Sequence, residues 1–442
     1  MFGSWLGWIM DSYDLSMMFL LIVPMSVVFF PPNQAYLAII ETLSIYFVTL
    51  VFRPLGGIIF GSLGDRIGRK GTMVVTLTGL GLAVALTGFL PTFAEFGIAA
   101  IFLLVLMRAL TGLFAGGEYG NSVSILMESV RRSRRGRIGS ILQAGYPIGF
   151  TAAALVFLIL NLGMPRPEFL AEGWRIMFYT GIVPALIGLV LRIRMPESNE
   201  WSKLKVAKRT EKSPARKLLS NRTYALEWLG GFLAMAGISW LYSLTLGFYP
   251  TILPQFAKII FPFSTYIIII AILVSLIGYI VSGTLSDGIG RKRALEIFAV
   301  LGVIFSVPGS FVVFQAGASF TTVAIFASLL AFFTTGAYGV IPAFLSEKFP
   351  TGIRSTGVGF SFNSGFILGS WSSVVVLLMG SMLGVSNLFW ITAGGIIAGE
   401  VLIVLSALIS RETLGLDDKD EVPHGREGVQ EPPSPKPVAP SN

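Results

Sequence analysis

Carboxylate and guanidinium groups interrupt several of the long apolar segments of this sequence. Asp11 and Asp14 fall in the first segment, Arg53 in the second, and Arg108 and Glu118 in the fourth. An ionisable side chain near the centre of a bilayer costs about 2.5–3.5 kcal/mol on insertion scales. These side chains must therefore face one another or a cavity rather than lipid.

Reversible proton binding is the chemistry that the acidic residues favour. Asp11 and Asp14 are three residues apart and share one face of a helix. Two carboxylates close together in poorly hydrated surroundings resist joint ionisation, so one of them tends to bind a proton. Asp14 is the first candidate for proton coupling because it lies deeper in its segment, and Asp11 is the second. Alternatively, both accept hydrogen bonds from a neighbouring helix, or Asp11 lies at the membrane surface. Glu118 belongs either to a proton relay or to helix packing.

Two arginines within the apolar segments are candidates for binding a substrate. Arg108 can hold an anionic substrate, because a guanidinium group matches a carboxylate in a bidentate geometry. It can also pair with Asp11 or Asp14 while the site is empty. Arg53 offers the same two roles. A static ion pair is the structural alternative for both arginines.

Uncharged polar side chains in other apolar segments extend the set of substrate-binding candidates. Gln143 and Asn363 are amides, whose hydrogen-bonding groups suit a small hydroxylated or carboxylated solute. Tyr242 adds a hydroxyl group and an aromatic face. Packing is the stronger alternative for this tyrosine, since aromatic residues at membrane depth mostly pack or lie at the interface.

The composition indicates that helices in a membrane position these residues. Of the 442 residues, 54% are hydrophobic and 13% are charged, whereas soluble domains carry about a quarter charged residues. The mean hydropathy is +0.77. There is far more apolar surface than water-soluble cores could hide, so a soluble enzyme is excluded, and most of the chain cannot be disordered.

The residue types that are missing narrow the chemistry further. The sequence has no Cys, and its single His, His424, lies in a Pro-rich C-terminal segment. Disulfides, thiolate chemistry and histidine zinc sites are therefore excluded. The sequence carries no nucleotide-binding loop and no His-Glu-x-x-His motif, so we expect no enzymatic activity, cofactor or metal. The net charge of +8 does not predict nucleic-acid binding, because the basic residues lie between apolar segments.

Twelve segments reach the length of about 20 mostly apolar residues that a spanning helix needs. They are residues 5–30, 35–63, 71–91, 96–127, 137–162, 173–194, 223–249, 262–286, 293–315, 318–346, 354–380 and 385–410. The links after even-numbered spans carry most of the Lys and Arg residues, which predicts that these links and both termini are cytoplasmic. The chain is thereby divided into a six-helix bundle (1–195), a basic linker (196–222), a second six-helix bundle (223–410) and a disordered tail (411–442). The linker either forms short amphipathic helices on the inner membrane face or is a solvated connection that anchors the topology.

A charged motif recurs in the two halves of the chain. Gly61-x-x-x-Asp65-x-x-Gly68-Arg69-Lys70 follows span two, and the same pattern from Gly283 to Lys292 follows span eight, 222 residues later. A glutamate seven residues before an arginine follows spans four and ten, at an offset of 219 residues. Two different motifs that each recur after nearly the same number of residues predict that the chain consists of two duplicated halves. Such a duplication is the repeat pattern of a secondary transporter.

The repeated charges predict a network that closes the cytoplasmic side of the protein. The aspartate of the motif can accept hydrogen bonds from a helix N-terminus, and its glycine permits close approach of a neighbouring backbone. We expect one network in each half; the alternative is that the charges only determine topology. The residues are Asp65, Arg66, Arg69, Glu128 and Arg135 in the first half and Asp287, Arg291, Glu347 and Arg354 in the second.

The two charged loops resemble the signature of the major facilitator superfamily, and the resemblance covers residues 1–415. Span four, from Arg108 to Gly120, resembles the metabolite–proton symporter and sugar-porter branches, as do Met195-Pro196-Glu197-Ser198 and the segment from Pro350 to Gly357. Asp11-Ser-Tyr13-Asp14 is similar to the pattern in proton symporters for sialic acid, lactate-type and aromatic acids. The resemblance implies an all-α membrane protein with twelve transmembrane helices in two pseudo-symmetric six-helix bundles.

The same resemblance implies which helices are neighbours. Gly112, Gly116 and Gly120 form a small-residue stripe that lets two helices approach closely. The family arrangement makes span one the expected partner of this stripe.

The combined prediction is a secondary active transporter in the cell membrane. It imports a small organic anion, a monocarboxylate or a sugar acid, together with protons by alternating access of its two halves. Proton-driven uptake of a neutral sugar or polyol and exchange of phosphate or organic anions are the alternatives. The expected partners are the solute, protons and lipid, and we expect the protein to be a monomer.

Overall fold

The computed structural model describes residues 2–31, 35–384 and 387–414, and the regular structure in these ranges is entirely helical. Residues 415–442 of the predicted tail lie outside the described ranges. Twelve helices are long and apolar enough to cross a membrane, which confirms the predicted fold class. In chain order, these spans are Gly3–Phe29, Ser44–Ile67, Arg69–Gly88, Ile98–Glu128, Arg132–Gly163, Arg166–Arg194, Arg222–Gln255, Phe263–Ile289, Arg291–Phe314, Phe320–Ser346, Thr351–Leu383 and Leu388–Ile409.

The spans form two bundles with matching internal contacts. In the first bundle the main pairs are spans two and four, one and five, three and four, three and six, and one and six. In the second they are eight and ten, seven and eleven, nine and ten, nine and twelve, and seven and twelve, which are the same pairs shifted by six spans. The main contacts between the bundles, span two with eleven and span five with eight, obey the same shift. The two bundles are therefore related by internal pseudo-symmetry.

Glycines allow the backbones of spans two, four and eleven to touch. A Cβ atom on Gly116 would lie 1.9 Å from the carbonyl oxygen of Arg53, and one on Gly112 would lie 2.0 Å from that of Thr49. A Cβ atom on Gly120 would lie 2.4 Å from the carbonyl oxygen of Ser355 on span eleven. The expectation that this stripe packs against span one was wrong, because its small residues face span two and the second bundle.

Spans five and ten are each interrupted where they face the other bundle. Span five consists of helices Arg135–Gln143 and Gly145–Gly163, which are separated at Ala144. Span ten consists of helices Phe320–Gly336 and Ile341–Ser346, joined by the 3₁₀ turn Ala337–Val340. Irregular backbone at membrane depth is tolerated where protein or a cavity covers it. These interruptions mark positions at which the two bundles face each other.

The basic linker contains two short helices, Asn199–Val206 and Pro214–Ser220, as predicted. Ser198 caps the first one, because its hydroxyl group accepts a hydrogen bond from the backbone N–H of Trp201 at 3.2 Å. The buried indole of Trp201 donates to the carbonyl oxygen of Asp65 at 2.9 Å. The linker is therefore attached to the end of span two rather than being only a solvated connection.

We predict that Gly116→Ala destabilises the protein by about 1–3 kcal/mol, because the added methyl group overlaps the backbone of span two. The measurement is thermal unfolding of the purified protein. Gly394→Ala is the matched control, since it lies in the middle of span twelve with no atom within 4 Å of its Cβ position. Equal unfolding temperatures for the two variants would contradict the packing described above.

Candidate functional site

Asp11 and Arg53 form a buried ion pair between spans one and two. The two terminal nitrogens of Arg53 donate to the two carboxylate oxygens of Asp11, each at 2.7 Å. Nε of Arg53 donates to Oδ1 of Asn363 on span eleven at 2.9 Å. The Asn363 amide group in turn donates to the carbonyl oxygens of Gly116 and Gly359, at 3.0 and 2.7 Å. Arg53 therefore connects the acidic residue of the first bundle to the second bundle.

Asp14 has a different arginine as its partner. Arg108 of span four donates to the two oxygens of Asp14 at 2.9 and 3.2 Å, and to the hydroxyl group of Thr87 at 2.8 Å. Its guanidinium group also lies over the ring of Phe178, 5.4 Å from the centroid. The ion pair is at most 1% exposed. Two neighbouring acids on one helix thus each face a separate cation. The Arg53–Asp11 pair is bidentate through two nitrogens, whereas Arg108 contacts both oxygens of Asp14 through one nitrogen.

Glu118 lies in a third buried ion pair, with Arg192 of span six. Glu118 also accepts hydrogen bonds from Ser122 at 2.7 Å and from Thr76 at 3.0 Å. Arg192 donates further to the carbonyl oxygens of Met73 and Gly3. These contacts lie within the first bundle and support helix packing as the role of Glu118. The sequence analysis did not single out Arg192, because it begins the basic stretch before the linker.

Aromatic rings from both bundles meet beside these ion pairs. Tyr146 of span five contacts the ring of Tyr242 of span seven, with centroids 5.3 Å apart. Tyr119 stacks on Phe362 of span eleven at 3.6 Å, and Tyr338 lies in the irregular turn of span ten. Tyr242, predicted to bind substrate, is therefore placed where the halves face each other.

Several polar groups in this aromatic cluster are buried and make no hydrogen bond within the described residues. Oε1 of Gln143 accepts from the hydroxyl group of Tyr119 at 3.2 Å, but its Nε2 has no acceptor. The indole nitrogen of Trp8 and the hydroxyl group of Tyr338 are also without a partner there. Buried polar groups are rarely left unsatisfied, so these groups are candidates for contacting a bound solute.

The motif aspartates accept hydrogen bonds from helix N-termini, as predicted, at the end of the spans where the charged loops lie, which we call the charged end. Asp65 accepts from the backbone N–H groups of Ser355 and Thr356, at 3.1 and 2.9 Å, where the helix of span eleven begins. Asp287 accepts from those of Gly136 and Arg137, both at 2.8 Å, at the start of span five. Both contacts join one bundle to the other, and the helix dipole favours a carboxylate at this position.

Arginines extend each aspartate contact into a network. Arg69 pairs with Asp65 and Glu128, and it donates to the carbonyl oxygen of Thr351 at 2.7 Å. Arg354 reaches Glu128 at 2.6 Å. The first network therefore contains an arginine of the second bundle.

The second network repeats the pairs that the motif arginine makes in the first. It differs in the arginine of the other bundle, because the ion pair of Arg135 is with the linker. Arg291 pairs with Asp287 at 2.7 Å and with Glu347 at 3.0 Å. Arg135 donates from Nε to the carbonyl oxygen of Met127 at 2.9 Å and lies 3.9 Å from Glu200 of the linker.

Arg135 joins the first network only indirectly, through Glu200, which Arg354 also contacts at 2.8 Å. Arg354 rather than Arg135 contacts Glu128, because span eleven, not span five, packs on the end of span two. Arg66, predicted to belong to the same network, is exposed at the end of its helix.

Two glutamates that the sequence analysis did not assign a role hold the starts of spans three and nine. Glu197 accepts from the backbone N–H of Lys70 at 3.1 Å. Glu412 accepts from those of Arg291 and Lys292, at 3.0 and 3.1 Å. Each glutamate follows the last span of its bundle, within Pro-Glu-Ser in the first and Arg-Glu-Thr in the second. The similarity of these two short segments was the signal from which the two contacts could have been predicted.

The pKa of Glu412 reflects these contacts. Partial burial by itself raises the pKa of this carboxyl group, but the backbone N–H groups of Leu414, Arg291 and Lys292 lower it below its ordinary value. The carboxylate form is therefore the one that the start of span nine binds.

Lys348, which the sequence analysis counted only as a topology signal, is buried in the second bundle. Its Nζ donates to Glu227 of span seven at 2.6 Å and to the hydroxyl group of Ser410 at 2.8 Å. Burial lowers the pKa of Lys348 below its ordinary value, and the charge of Glu227 opposes this shift. The side chain ties the end of span ten to spans seven and twelve.

Comparison with known proteins identifies the family of this chain. The sequence profile of the Major Facilitator Superfamily matches residues 5–373. The inner membrane metabolite transport protein YhjE of Escherichia coli is 32% identical over 349 residues, which are 78% of each chain. The chain belongs to the major facilitator superfamily. The recognition made from the charged loops is thereby confirmed.

Further relatives of this major facilitator superfamily member are also transporters. A probable 4-methylmuconolactone transporter of Cupriavidus pinatubonensis is 28% identical, over 86% of this chain and 83% of its own. A putative proline/betaine transporter of Staphylococcus aureus is 28% identical, over 85% and 81%. The solved structure of the proton:xylose symporter XylE superposes with a TM-score of 0.76 at 19% identity, covering 93% of this chain and 95% of XylE. At that identity, the likeness to XylE concerns the fold.

These findings establish the general activity of this major facilitator superfamily member. It is a multi-pass integral protein of the cell membrane that transports small-molecule solutes, and it is not an enzyme. The predicted roles of its individual site residues stay predictions.

We predict that Asp65→Asn opens the charged end of the protein, because an amide oxygen accepts more weakly from the start of span eleven. The readout is alkylation of Ala343→Cys, a buried residue of span ten that faces Gly139 of span five. No native cysteine competes. Alkylation should be faster in the Asp65→Asn background.

Arg66→Gln is the matched control, because Arg66 belongs to the same loop and is exposed. We expect it to leave the alkylation rate of Ala343→Cys unchanged. An unchanged rate in the Asp65→Asn background as well would reduce the network to a determinant of topology.

Proposed function

We propose that this protein is a symporter that imports a small organic anion, a monocarboxylate or a sugar acid, together with protons. The observation that carries the proposal is the pair of acids on span one, each bound to its own buried arginine. Asp11 with Arg53 and Asp14 with Arg108 are electrically neutral units, which membrane depth requires. Such units can exchange one partner for another of the same charge.

Protonation and anion binding are linked at each of these units. When a carboxylate binds a proton, its arginine loses its counter-ion, and a buried unpaired cation is costly. The carboxylate of a solute restores the pairing, in the bidentate geometry that guanidinium prefers. A proton therefore favours binding of an anion, and the anion favours binding of a proton, which is the thermodynamic requirement for symport.

We assign separate roles to the two units. Asp14 is the proton-coupling residue, and Arg108 is its partner that turns to the solute once Asp14 is protonated. Arg53 anchors the solute because it contacts Asn363 of the second bundle as well as Asp11. A solute held by both bundles senses their relative movement, which alternating access requires.

The aromatic cluster suits the body of such a solute. Gln143, Tyr242 and Tyr338 present a few polar groups among aromatic faces, which is the composition of sites for small organic molecules. The relatives named for metabolite, 4-methylmuconolactone and proline/betaine transport support a small carbon-containing solute. These residues line the path between the two bundles in our proposal.

We further propose that the charged end with both networks faces the cytoplasm, together with both chain termini. The Lys and Arg residues of the links are concentrated there, and the positive-inside rule assigns such links to the cytoplasm. In this orientation one proton that moves with one monovalent anion carries no net charge, so the pH gradient, at about 1.4 kcal/mol per pH unit, drives the import and the membrane potential does not. The networks then close the inner side while the solute enters from outside.

Uptake into proteoliposomes under an imposed pH gradient tests the proposed substrate class and coupling. We expect labelled lactate or sialic acid to accumulate against its gradient, and accumulation to stop when the pH gradient is dissipated. Accumulation that ignores the pH gradient would exclude symport. Accumulation of glucose in place of either acid would favour the sugar alternative.

Asp14→Asn should abolish gradient-driven accumulation while leaving part of the exchange of solute across the membrane. The amide cannot release a proton, but it preserves the size of the side chain beside Arg108. The same proteoliposomes measure both activities. Glu168→Gln, which changes an exposed acid at the start of span six, is the control and should retain both. Uphill uptake by Asp14→Asn would remove Asp14 from the coupling role.

A further inference from the structure

Glu400 in the middle of span twelve is a buried carboxyl group for which the described part of the chain provides no cation. Its side chain is 1% exposed. Neither of its two carboxyl oxygens makes a hydrogen bond within the described residues. The ion pairs of the structure, which include those of Asp11, Asp14 and Glu118, do not include it.

The surroundings of Glu400 are apolar and tightly fitted. Gly302 of span nine faces it so closely that a Cβ atom there would lie 1.8 Å from one carboxyl oxygen of Glu400. The adjacent Gly399 is covered by Trp240 and Leu241 of span seven. The indole nitrogen of Trp240 donates to the carbonyl oxygen of Gly395 and is therefore engaged elsewhere.

The other charged groups of the packed spans lie nearer to the charged end. Span twelve has none besides Glu400, and the adjoining helix Ser372–Leu383 has none. On span seven they are Arg222 and Glu227, and on span nine they are Arg291, Lys292, Arg293 and Glu296. The described contacts of Glu227 and Arg291 are with Lys348, Asp287 and Glu347. Among residues 2–31, 35–384 and 387–414, Glu400 therefore has no counter-charge in its own layer of the bundle.

We propose that Glu400 is a proton-binding site of the second bundle, which holds its proton while spans seven, nine and twelve are packed together. An ionised carboxylate without a partner would be far more costly at this depth than a neutral carboxylic acid. Gly302 provides the space that the neutral carboxyl group occupies. This site is separate from the acids of span one and does not depend on the proposed solute.

Thermal unfolding of the full-length protein tests the proposal with a matched pair of variants. Glu400→Gln keeps the size of the side chain and removes only its titration, so its unfolding temperature should equal or exceed that of the unmodified protein. Glu118→Gln removes the partner of buried Arg192, so it should unfold at a clearly lower temperature. A decrease for Glu400→Gln as large as that for Glu118→Gln would mean that Glu400 is an ionised, paired group and would overturn the proposal.

The pH dependence provides the second readout. The folded protein holds a proton on Glu400 that the unfolded chain releases near the ordinary range of a glutamate, so folding stability falls as pH rises. The unfolding temperature of the unmodified protein should therefore decrease, relative to that of Glu400→Gln, from mildly acidic to alkaline pH. A constant difference between the two across this range would also overturn the proposal.

Labelling with a lipid-soluble carbodiimide tests the protonated state directly on the unmodified protein, even if the variants fold poorly. The reagent adds across one of its C=N bonds: the carboxyl oxygen bonds to the central carbon and the carboxyl proton moves to nitrogen. Peptide mass spectrometry should find the adduct on Glu400 and not on arginine-paired Glu118. Labelling of Glu118 with Glu400 unmodified would contradict the assignment.

Discussion

The cost of placing charge away from water is the constraint on which the rest of this structure depends. Within the first bundle it is met by three ion pairs, in which Arg53, Arg108 and Arg192 each face one acid. Each pair joins different spans, so the ion pairs also define how the helices of the bundle are arranged. A transporter gains from this solution because a neutral pair can exchange a partner for a proton or a charged solute without leaving net charge in the membrane.

The same constraint produces a different solution at the charged end. There Asp65 and Asp287 lie on the starts of helices from the opposite bundle, where unpaired backbone N–H groups and the helix dipole stabilise a carboxylate. These contacts join the bundles through hydrogen bonds from backbone N–H groups. Water can replace such hydrogen bonds, so their loss when the bundles separate would carry only a moderate cost.

Pseudo-symmetry organises the helices, but the chemistry is distributed unequally. The charged networks and the glutamates that hold spans three and nine occur in both bundles. The acid–arginine pairs at membrane depth are concentrated in the first bundle, whereas the second contributes Asn363, aromatic residues and the unpaired Glu400. Duplication thus supplies a common helical frame, and the two copies carry different polar groups where they face each other.

The sequence by itself determined the twelve spans, the duplicated halves, the family and the set of charged residues. Span length, repeat offset and residue type can be read from the chain without knowing which residues are in contact. The sequence also predicted that the motif aspartates accept hydrogen bonds from helix N-termini. Only the tertiary structure decided the partners. Arg53 rather than Arg108 holds Asp11, and Arg354 rather than Arg135 joins Glu128. A guanidinium group fits any carboxylate equally well, so its partner depends on which helices pack together, and that packing follows from backbone contacts at glycines distributed over spans two, four and eleven.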